Sequence, residues 1–289
     1  MSKTVLAMEG VCLSFKTSGK MGAGRKRVLN DLTFSVSQAE AFGFLGPSGA
    51  GKTTTIKLLT RQLRKEAGSI HLFGSPIERA TDGDYERIGI LSDTSALYER
   101  MSIEENLRFY AKVRGVSDKQ IVELLERMAL DRDSKTLIKN CSKGMRQRAA
   151  LLAALIHSPE LLFLDEPTSG LDPAARAEVH RMLAELKAAG TTIFLTTHDM
   201  TEADSVCDRI AILNEGHIVT SDTPESLKLA HARNRVTIRT KTRGTIVTTK
   251  DEAGAALIAE LLCTNECLSI HSDEPNLEEV FLDLTGREF

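Results

Sequence analysis

A glycine-rich stretch at residues 46–53 limits the possible folds of this chain more than any other part of its sequence. It consists of Gly-Pro-Ser-Gly-Ala-Gly-Lys-Thr and matches the phosphate-binding pattern G-x-x-x-x-G-K-[ST]. The backbone N–H groups of such a loop, which leads into a helix, can hold the negative charge of phosphate groups. Residues 41–45 before it are apolar, as in a buried strand, and residues 54–59 continue as a helix. The sequence therefore predicts a strand, loop and helix that bind a nucleoside triphosphate.

Two side chains of this loop have distinct expected roles. The ammonium group of Lys52 would reach the β- and γ-phosphates, and the hydroxyl of Thr53 would ligate Mg²⁺. Backbone N–H groups would supply most of the other contacts. The residues expected to bind the nucleotide are therefore Gly46, Pro47, Ser48, Gly49, Ala50, Gly51, Lys52, Thr53 and Thr54.

The length and charge of the chain limit its domain number and its partners. Its 289 residues suffice for one large α/β domain and a small second one. The net charge of −3 gives no electrostatic reason to expect a nucleic-acid partner. No apolar run approaches the roughly eighteen residues needed to span a bilayer, and the N-terminus lacks the apolar core of a signal peptide. We therefore expect a soluble, cytosolic chain, which would depend on another chain for any membrane-spanning part.

The five cysteines are odd in number and scattered, which predicts reduced thiols rather than disulfides. Cys263 and Cys267 are four residues apart in an apolar, helix-like stretch and could share one helix face. A metal site there would need further ligands at suitable spacing, and none is evident. Packing in the core is the favoured interpretation.

The N-terminal part has the alternation of antiparallel strands at residues 4–15 and 28–36. Residues 16–27 between them are rich in glycine and basic side chains, and we expect a mobile surface loop. A solvated hairpin tip is favoured there, with a site for a polyanion or acidic lipid as the alternative. From residue 103 to 156 the pattern is helical, beginning with a capping box formed by Ser102 and Glu105.

Buried strands alternate with helices in the rest of the first 222 residues. Apolar runs occur at 161–164, 192–195 and 209–213, and Asp172 precedes a helix that begins at Pro173. This alternation predicts an α/β fold with a mostly parallel sheet covered on both faces. Beyond about residue 221 the pattern changes to a small α+β appendage. We expect in it a helix at 224–232, strands at 236–240 and 245–249, a second helix and a short acidic tail.

Polar side chains follow two of the buried strands at the point where each strand ends. Asp165 and Glu166 come after the run 161–164, and His198 follows 192–195. Ligands of open α/β sheets bind at the carboxyl ends of their strands. Asp165 is expected to hold Mg²⁺ through its water shell, and Glu166 to polarise the water that attacks the γ-phosphorus. Taken alone, His198 is an ordinary packed or surface residue; in this position it is expected to donate to the γ-phosphate.

The order of these segments resembles the nucleotide-binding subunit of an ATP-binding cassette (ABC) transporter. The resemblance covers roughly residues 4–222 and includes the signature loop, residues 141–145, and the segment 169–172. It implies that Ser142 and Gly144 contact the γ-phosphate bound by a second subunit. It further implies that Asp172 lies at the nucleotide and that Phe15 stacks on adenine. A hydrophobic residue that closes a hairpin is the alternative for Phe15.

The chain departs from the family pattern at two places. Cys141, Lys143 and Met145 replace the Leu, Gly and Gln of the usual signature Leu-Ser-Gly-Gly-Gln. This form is similar to that of drug and bacteriocin-resistance exporters whose permease is a separate ABC-2-type protein. The second departure is Asp93, which stands where the family has glutamine. It is a candidate Mg²⁺ ligand, whether directly, through water or not at all.

The resemblance implies a P-loop ATPase core with an N-terminal antiparallel β-subdomain and an inserted helical subdomain at about 94–157. Residues 1–222 would form the ATP-binding domain and residues 223–289 an accessory domain. ATP and Mg²⁺ are the implied cofactors. The chain would form a homodimer, or a dimer with a second ATPase subunit, on the inner face of the cell membrane. There it would drive export of a drug, peptide or lipid-like substrate through an integral-membrane permease, which would dock near Leu97, Tyr98 and Met101.

Two other functions of such a chain are alternatives to export. An ABC importer ATPase would carry the same catalytic motifs. A soluble ABC ATPase that acts on ribosomes should carry two cassettes in tandem, and one that maintains chromosomes should carry a long coiled coil; the chain has neither feature.

Overall fold

A computed structural model of the chain describes residues 3–19, 22–92, 97–272 and 274–286. The chain divides into two compact units, Met1–Asp222 and Thr223–Phe289. The strands of the first unit are β1 (Thr4–Gly19), β2 (Gly22–Ser37), β3 (Ala41–Leu45), β4 (Ala67–Leu72), β5 (Ser75–Pro76), β6 (Ile88–Leu91), β7 (Leu161–Asp165), β8 (Thr192–Thr197), β9 (Arg209–Asn214) and β10 (His217–Asp222). Its helices are α1 (Lys52–Leu59), α2 (Asp82–Glu86), α3 (Ile103–Val113), α4 (Lys119–Arg127), α5 (Lys143–Leu155), α6 (Pro173–Ala188) and α7 (Met200–Val206).

The central sheet of the first unit has the strand order β10-β9-β3-β8-β7-β6. Its pairs are parallel except for the β9–β10 hairpin. Every residue of β3, β7 and β8 is buried, which explains why their sequences are apolar throughout instead of alternating. The predicted α/β fold with a mostly parallel sheet is confirmed.

An antiparallel sheet with the order β2-β1-β4-β5 forms the N-terminal part of this unit. Phe34 of β2 stacks on Phe42 of β3 with 5.4 Å between ring centroids, and it lies 5.7 Å from Phe194 of β8. The two sheets therefore share one core of aromatic side chains, which supports the strand that leads into the glycine-rich loop.

Residues 16–27 were expected to form a loop, but in the residues that the structure describes they continue the two hairpin strands. Strands β1 and β2 continue to Gly19 and from Gly22, with Phe15 opposite Lys26 and Gly19 opposite Gly22. Ladder hydrogen bonds join backbone groups, so an antiparallel pair that is fixed by apolar residues further along can continue through a polar, glycine-rich sequence.

The predicted helical segment consists of α3, α4 and α5. The capping box before α3 is confirmed: the Ser102 N–H donates to Glu105 Oε2 at 2.7 Å, and the Glu105 N–H donates to Ser102 Oγ at 3.2 Å. Helix α6 begins after Asp172, whose Oδ1 accepts the Ala175 N–H at 2.9 Å. No helix in the described part of the chain is long and apolar enough to cross a membrane.

The described residues of the second unit form three strands, β11 (Val236–Thr240), β12 (Thr245–Thr248) and β13 (Cys267–Ser272), and three helices, α8 (Pro224–Ala230), α9 (Glu252–Cys263) and α10 (Leu277–Thr285). Its core includes Val236, Ile238 and Leu261. The strands pair antiparallel in the order β12-β11-β13.

The prediction of a short acidic tail after α9 was wrong, because β13 and α10 occupy that region. Asn265 has a left-handed φ of 56°, so the helix ends and the chain turns into the edge strand. Cys263 therefore ends a helix while Cys267 begins a strand, and the two do not share a helix face as the spacing suggested.

Candidate nucleotide-binding site

Three loops meet at one edge of the central sheet, where β3, β8 and β7 end side by side. In the parallel register Leu45 lies opposite Thr197, and Thr196 lies opposite Asp165. The glycine-rich loop after β3, the acidic pair at the end of β7 and His198 after β8 are thus brought to the same edge. This is the edge at which open α/β sheets bind ligands.

Close packing explains two of the glycines in the loop. A Cβ at Gly46 would collide with the carbonyl oxygen of Leu213. A Cβ at Gly51 would lie 2.6 Å from Cδ2 of Leu29, and the φ of Gly51 is 115°. As the N-cap of α1, Gly51 has no side chain that could bind the first N–H groups of the helix. The loop therefore presents backbone donors at the start of a helix, where an anion is favoured.

The side chain of Lys52 is buried and folds back over the loop. Its Nζ donates to Gly46 O at 2.5 Å and Pro47 O at 3.3 Å, and lies 3.7 Å from Glu166 Oε1. Burial lowers the pKa of Lys52, and the negative charges of Glu166 and Asp165 oppose that change. An ammonium group held by two carbonyls and one carboxylate can exchange these partners for phosphate oxygens.

Asp165 is buried and held by two hydroxyl groups. Thr53 Oγ1 donates to its Oδ2 at 2.8 Å, and Thr196 Oγ1 donates to its Oδ1. The two residues expected to ligate Mg²⁺, 112 positions apart in sequence, are therefore in contact. Hydroxyl and carboxylate oxygens are the hard ligands that this ion prefers. The third candidate ligand, Asp93, lies outside the described residues.

Glu166 stands between a lysine and a histidine. Its Oε2 lies 2.6 Å from Nδ1 of His198, and its Oε1 lies 3.7 Å from Nζ of Lys52. Its φ is 51°, a left-handed value that is uncommon for a residue with a side chain. The side chain of His198 is 58% exposed, so the ring is accessible from solvent. Such a carboxylate can accept a proton while the ring keeps it oriented.

The signature loop leads into α5. Ser142 caps this helix, with its Oγ accepting the Met145 N–H at 3.1 Å. Among the described residues, neither Ser142 nor Gly144 hydrogen-bonds to the side chains of Lys52, Asp165, Glu166 or His198.

The remaining predicted site residues have other contacts. The Ala175 N–H bound to Asp172 lowers the pKa of this exposed carboxyl. Phe15 is 40% exposed, and it lies two residues along β1 from Leu13, whose partner in β2 is Leu29. Since Leu29 also packs against Gly51, this end of the hairpin is near the glycine-rich loop.

Two residues at the site were missed by the sequence analysis. Thr196 holds Asp165, and Gln147 donates from Nε2 to Glu166 O at 3.3 Å and Pro167 O at 3.1 Å. A hydroxyl at the end of β8 could have suggested Thr196, because the neighbouring strand ends in a carboxylate. Gln147 had no such signal, since its contact depends on how α5 packs.

Comparisons with known proteins agree with this geometry. A family model described as ABC transporter matches residues 29–169. The fluoroquinolones export ATP-binding protein of Mycobacterium tuberculosis is 41% identical in an alignment 263 positions long, which covers 89% of this chain and 87% of that protein. The linearmycin resistance ATP-binding protein of Bacillus subtilis is 33% identical to this chain, and the alignment covers 93% of this chain and 96% of that protein.

Solved structures have the same fold. One, described as the ATP-binding subunit of an ABC transporter, has a TM-score of 0.67 and 29% identity, with 78% of this chain and 92% of that one aligned. A dimeric bacterial ABC transporter cassette has a TM-score of 0.68 at 21% identity, over 75% of this chain and 98% of that one. The chain therefore belongs to the family of ATP-binding proteins of ABC transporters.

Proposed function

We propose that this chain binds ATP with Mg²⁺, hydrolyses it, and thereby drives export of a substrate through a separate membrane permease. The observation that carries the catalytic part is the position of the Glu166 carboxylate between Lys52 and His198 at the ends of adjacent strands. The names of the two aligned relatives, one an export protein and one a resistance protein, support the direction of transport.

Binding of the triphosphate is assigned to the loop 46–53 and the start of α1. Backbone N–H groups would hold the phosphates, and Lys52 would exchange its carbonyl partners for phosphate oxygens. Thr53 and Asp165 would hold Mg²⁺, with Asp93 as a further candidate ligand. The ion would neutralise part of the phosphate charge. Phe15 would stack on the adenine ring.

Hydrolysis is assigned to Glu166 and His198. Glu166 would orient a water molecule toward the γ-phosphorus and accept its proton. His198 would orient the Glu166 carboxylate through the observed contact, and the doubly protonated form of its ring would also donate to the γ-phosphate. Lys52, on the other side of Glu166, would place positive charge beside the transferred group.

Assembly into a dimer is assigned to the signature loop. In the described part of the chain, Ser142 and Gly144 make no hydrogen bond to the proposed catalytic side chains of their own chain, and a second subunit would bring them to the phosphate. The partner would be another copy of this chain or a second ATPase subunit, and Asp172 would lie near the same junction. ATP would favour the closed dimer because it contacts both subunits only in that state.

The two units would have separate roles. Residues 1–222 would be the ATP-binding domain, with the helical subdomain at about 94–157, and residues 223–289 an accessory domain. The complex would lie on the inner face of the cell membrane. The exported substrate would be a drug, a peptide or a lipid-like compound.

The test begins with the purified full chain. Phosphate release from ATP should require Mg²⁺ and should fall to background when EDTA is added. Co-expression with its membrane permease should then reduce accumulation of the transported substrate in cells. Absence of ATP hydrolysis both alone and with the permease would overturn the proposal, and accumulation that rises with ATP hydrolysis would overturn export.

A further inference from the structure

The backbone of Glu166 is held in an unusual conformation by contacts from three elements. Its left-handed φ of 51° is unfavourable for a residue with a Cβ. Its N–H donates to Thr196 O in β8 at 2.9 Å, and its carbonyl accepts the Ser169 N–H at 3.1 Å. The Gln147 amide adds a bond to the same carbonyl and one to Pro167 O. The direction of the Glu166 side chain therefore depends on these bonds.

Gln147 connects this turn to the helix that follows the signature loop. It lies in the second turn of α5, five residues after the cap Ser142. The first turn of α5 touches the same segment at another point, because Lys143 packs against Gly170 so closely that a Cβ there would collide with its side chain. Helix α5 thus contacts the segment 166–170 at two places.

We propose that Gln147 is a positioning residue for catalysis. Its two hydrogen bonds fix the backbone of Glu166 relative to α5. When Ser142 and Gly144 bind the nucleotide held by a second subunit, α5 thereby aligns Glu166 with the nucleotide that is bound by its own chain. This inference rests on the proposed role of Glu166 as the base. A shift of a catalytic group by about 1 Å is enough to slow a reaction roughly a hundredfold.

The experiment compares Gln147→Ala and Gln147→Glu in the full chain. Glutamate keeps the size of the side chain but brings an acceptor toward two carbonyl oxygens, so both variants lose the amide donor. We expect kcat for ATP to fall about tenfold in each, the equivalent of one ordinary hydrogen bond. The KM for ATP and the Kd for a fluorescent ATP analogue should stay within about twofold.

A matched control is Gln120→Ala, the same change at an exposed site of α4. It should keep the kcat of the unmodified chain. If Gln147 only fills space, Gln147→Glu should remain active. Alternatively, the Gln147 variants should melt at a lower temperature while their kcat per folded molecule stays normal. Either result would overturn the inference.

The double variant Glu166→Gln, Gln147→Ala separates this inference from the proposed function. If Gln147 acts through Glu166, the second change adds no further loss of kcat. A slow Glu166→Gln protein beside fully active Gln147 variants would overturn this inference alone. A fully active Glu166→Gln protein would overturn both.

Discussion

Nδ1 of His198 lies 2.6 Å from Oε2 of Glu166, although the two residues are 32 positions apart and follow different strands. The contact exists because β7 and β8 are paired in a parallel register that ends both strands at the same level. Each residue thus restrains the other before a nucleotide arrives. The contact between these two residues, proposed above as the catalytic pair, therefore follows from the pairing of the strands.

Glu166→Gln should keep ATP binding but lower turnover by about 10²–10⁴-fold, the range for a lost general base. The amide has the same shape but cannot accept the proton of water. Lys52→Ala should instead weaken nucleotide binding itself. Phosphate release and binding of a fluorescent ATP analogue separate the two effects. Glu123→Gln, the same change at an exposed position of α4, is the control, and near-normal turnover in Glu166→Gln would remove Glu166 from the mechanism.

Ser142→Asp should prevent dimer formation that depends on ATP. Aspartate caps a helix as well as serine, so α5 should remain folded, but its carboxylate would repel the γ-phosphate of a second subunit. The Glu166→Gln protein with ATP and Mg²⁺ should elute as a dimer, and adding Ser142→Asp should return it to monomer.

The control for this experiment is Thr223→Asp at the cap of α8 in the second unit. It makes a similar change at a helix cap outside the signature loop and should leave the elution unchanged. If the elution volume of the Glu166→Gln protein is the same with and without ATP, the expected ATP-dependent assembly is contradicted.

The cysteines should differ strongly in reactivity toward alkylating agents. Cys207 is buried, and burial with the nearby charges of Glu202 and Asp208 raises the pKa of its thiol well above the usual range. Because the thiolate is the reactive form, Cys207 should stay unmodified at neutral pH until the chain unfolds. Cys263 is exposed and should react first. Mass spectrometry of a time course with iodoacetamide would show the order, and early labelling of Cys207 would refute it.

Tyr98→Glu should abolish recovery of the co-expressed permease in a pull-down. The ring of Tyr98 is 50% exposed and meets Phe109 edge-on at 4.9 Å, while Leu97 and Met101 are partly buried. An exposed aromatic residue of this kind is a frequent anchor in protein interfaces. Val122→Glu changes another exposed apolar residue, on α4, and should leave recovery intact. Undiminished recovery with Tyr98→Glu would place the docking surface elsewhere.

Local patterns in the sequence were sufficient for the elements that surround the site. The strand at 41–45 and the caps Ser102 and Asp172 could be predicted because each depends on neighbouring residues. The continuation of β1 and β2 into the polar segment 16–27 could not be predicted, because its backbone pairing is independent of side-chain polarity. Strand β13 was missed because it lies at the edge of a sheet and has mostly exposed side chains, so its pattern is weak.

At the site itself, the sequence could identify chemical groups but not all of their partners. Lys52, Asp165, Glu166 and His198 follow strands of one sheet, so their proximity follows from topology. The bond from Gln147 to Glu166 depends on the packing of a helix against a loop 19 positions away. No local periodicity encodes such a contact.

The strand order has a consequence for synthesis of the chain. The hydrogen-bonded neighbours of β3 in its sheet are β8 and β9, and β8 begins about 150 positions after β3 ends. At the usual rates of translation, the ribosome needs roughly 7–30 s to make that interval. During this time the five residues of β3, all of which are buried in the folded chain, lack their partner strands. A polypeptide released early would therefore expose an aggregation-prone apolar segment next to an incomplete phosphate loop, and we expect nascent chains to need chaperones until residue 214 has left the ribosome.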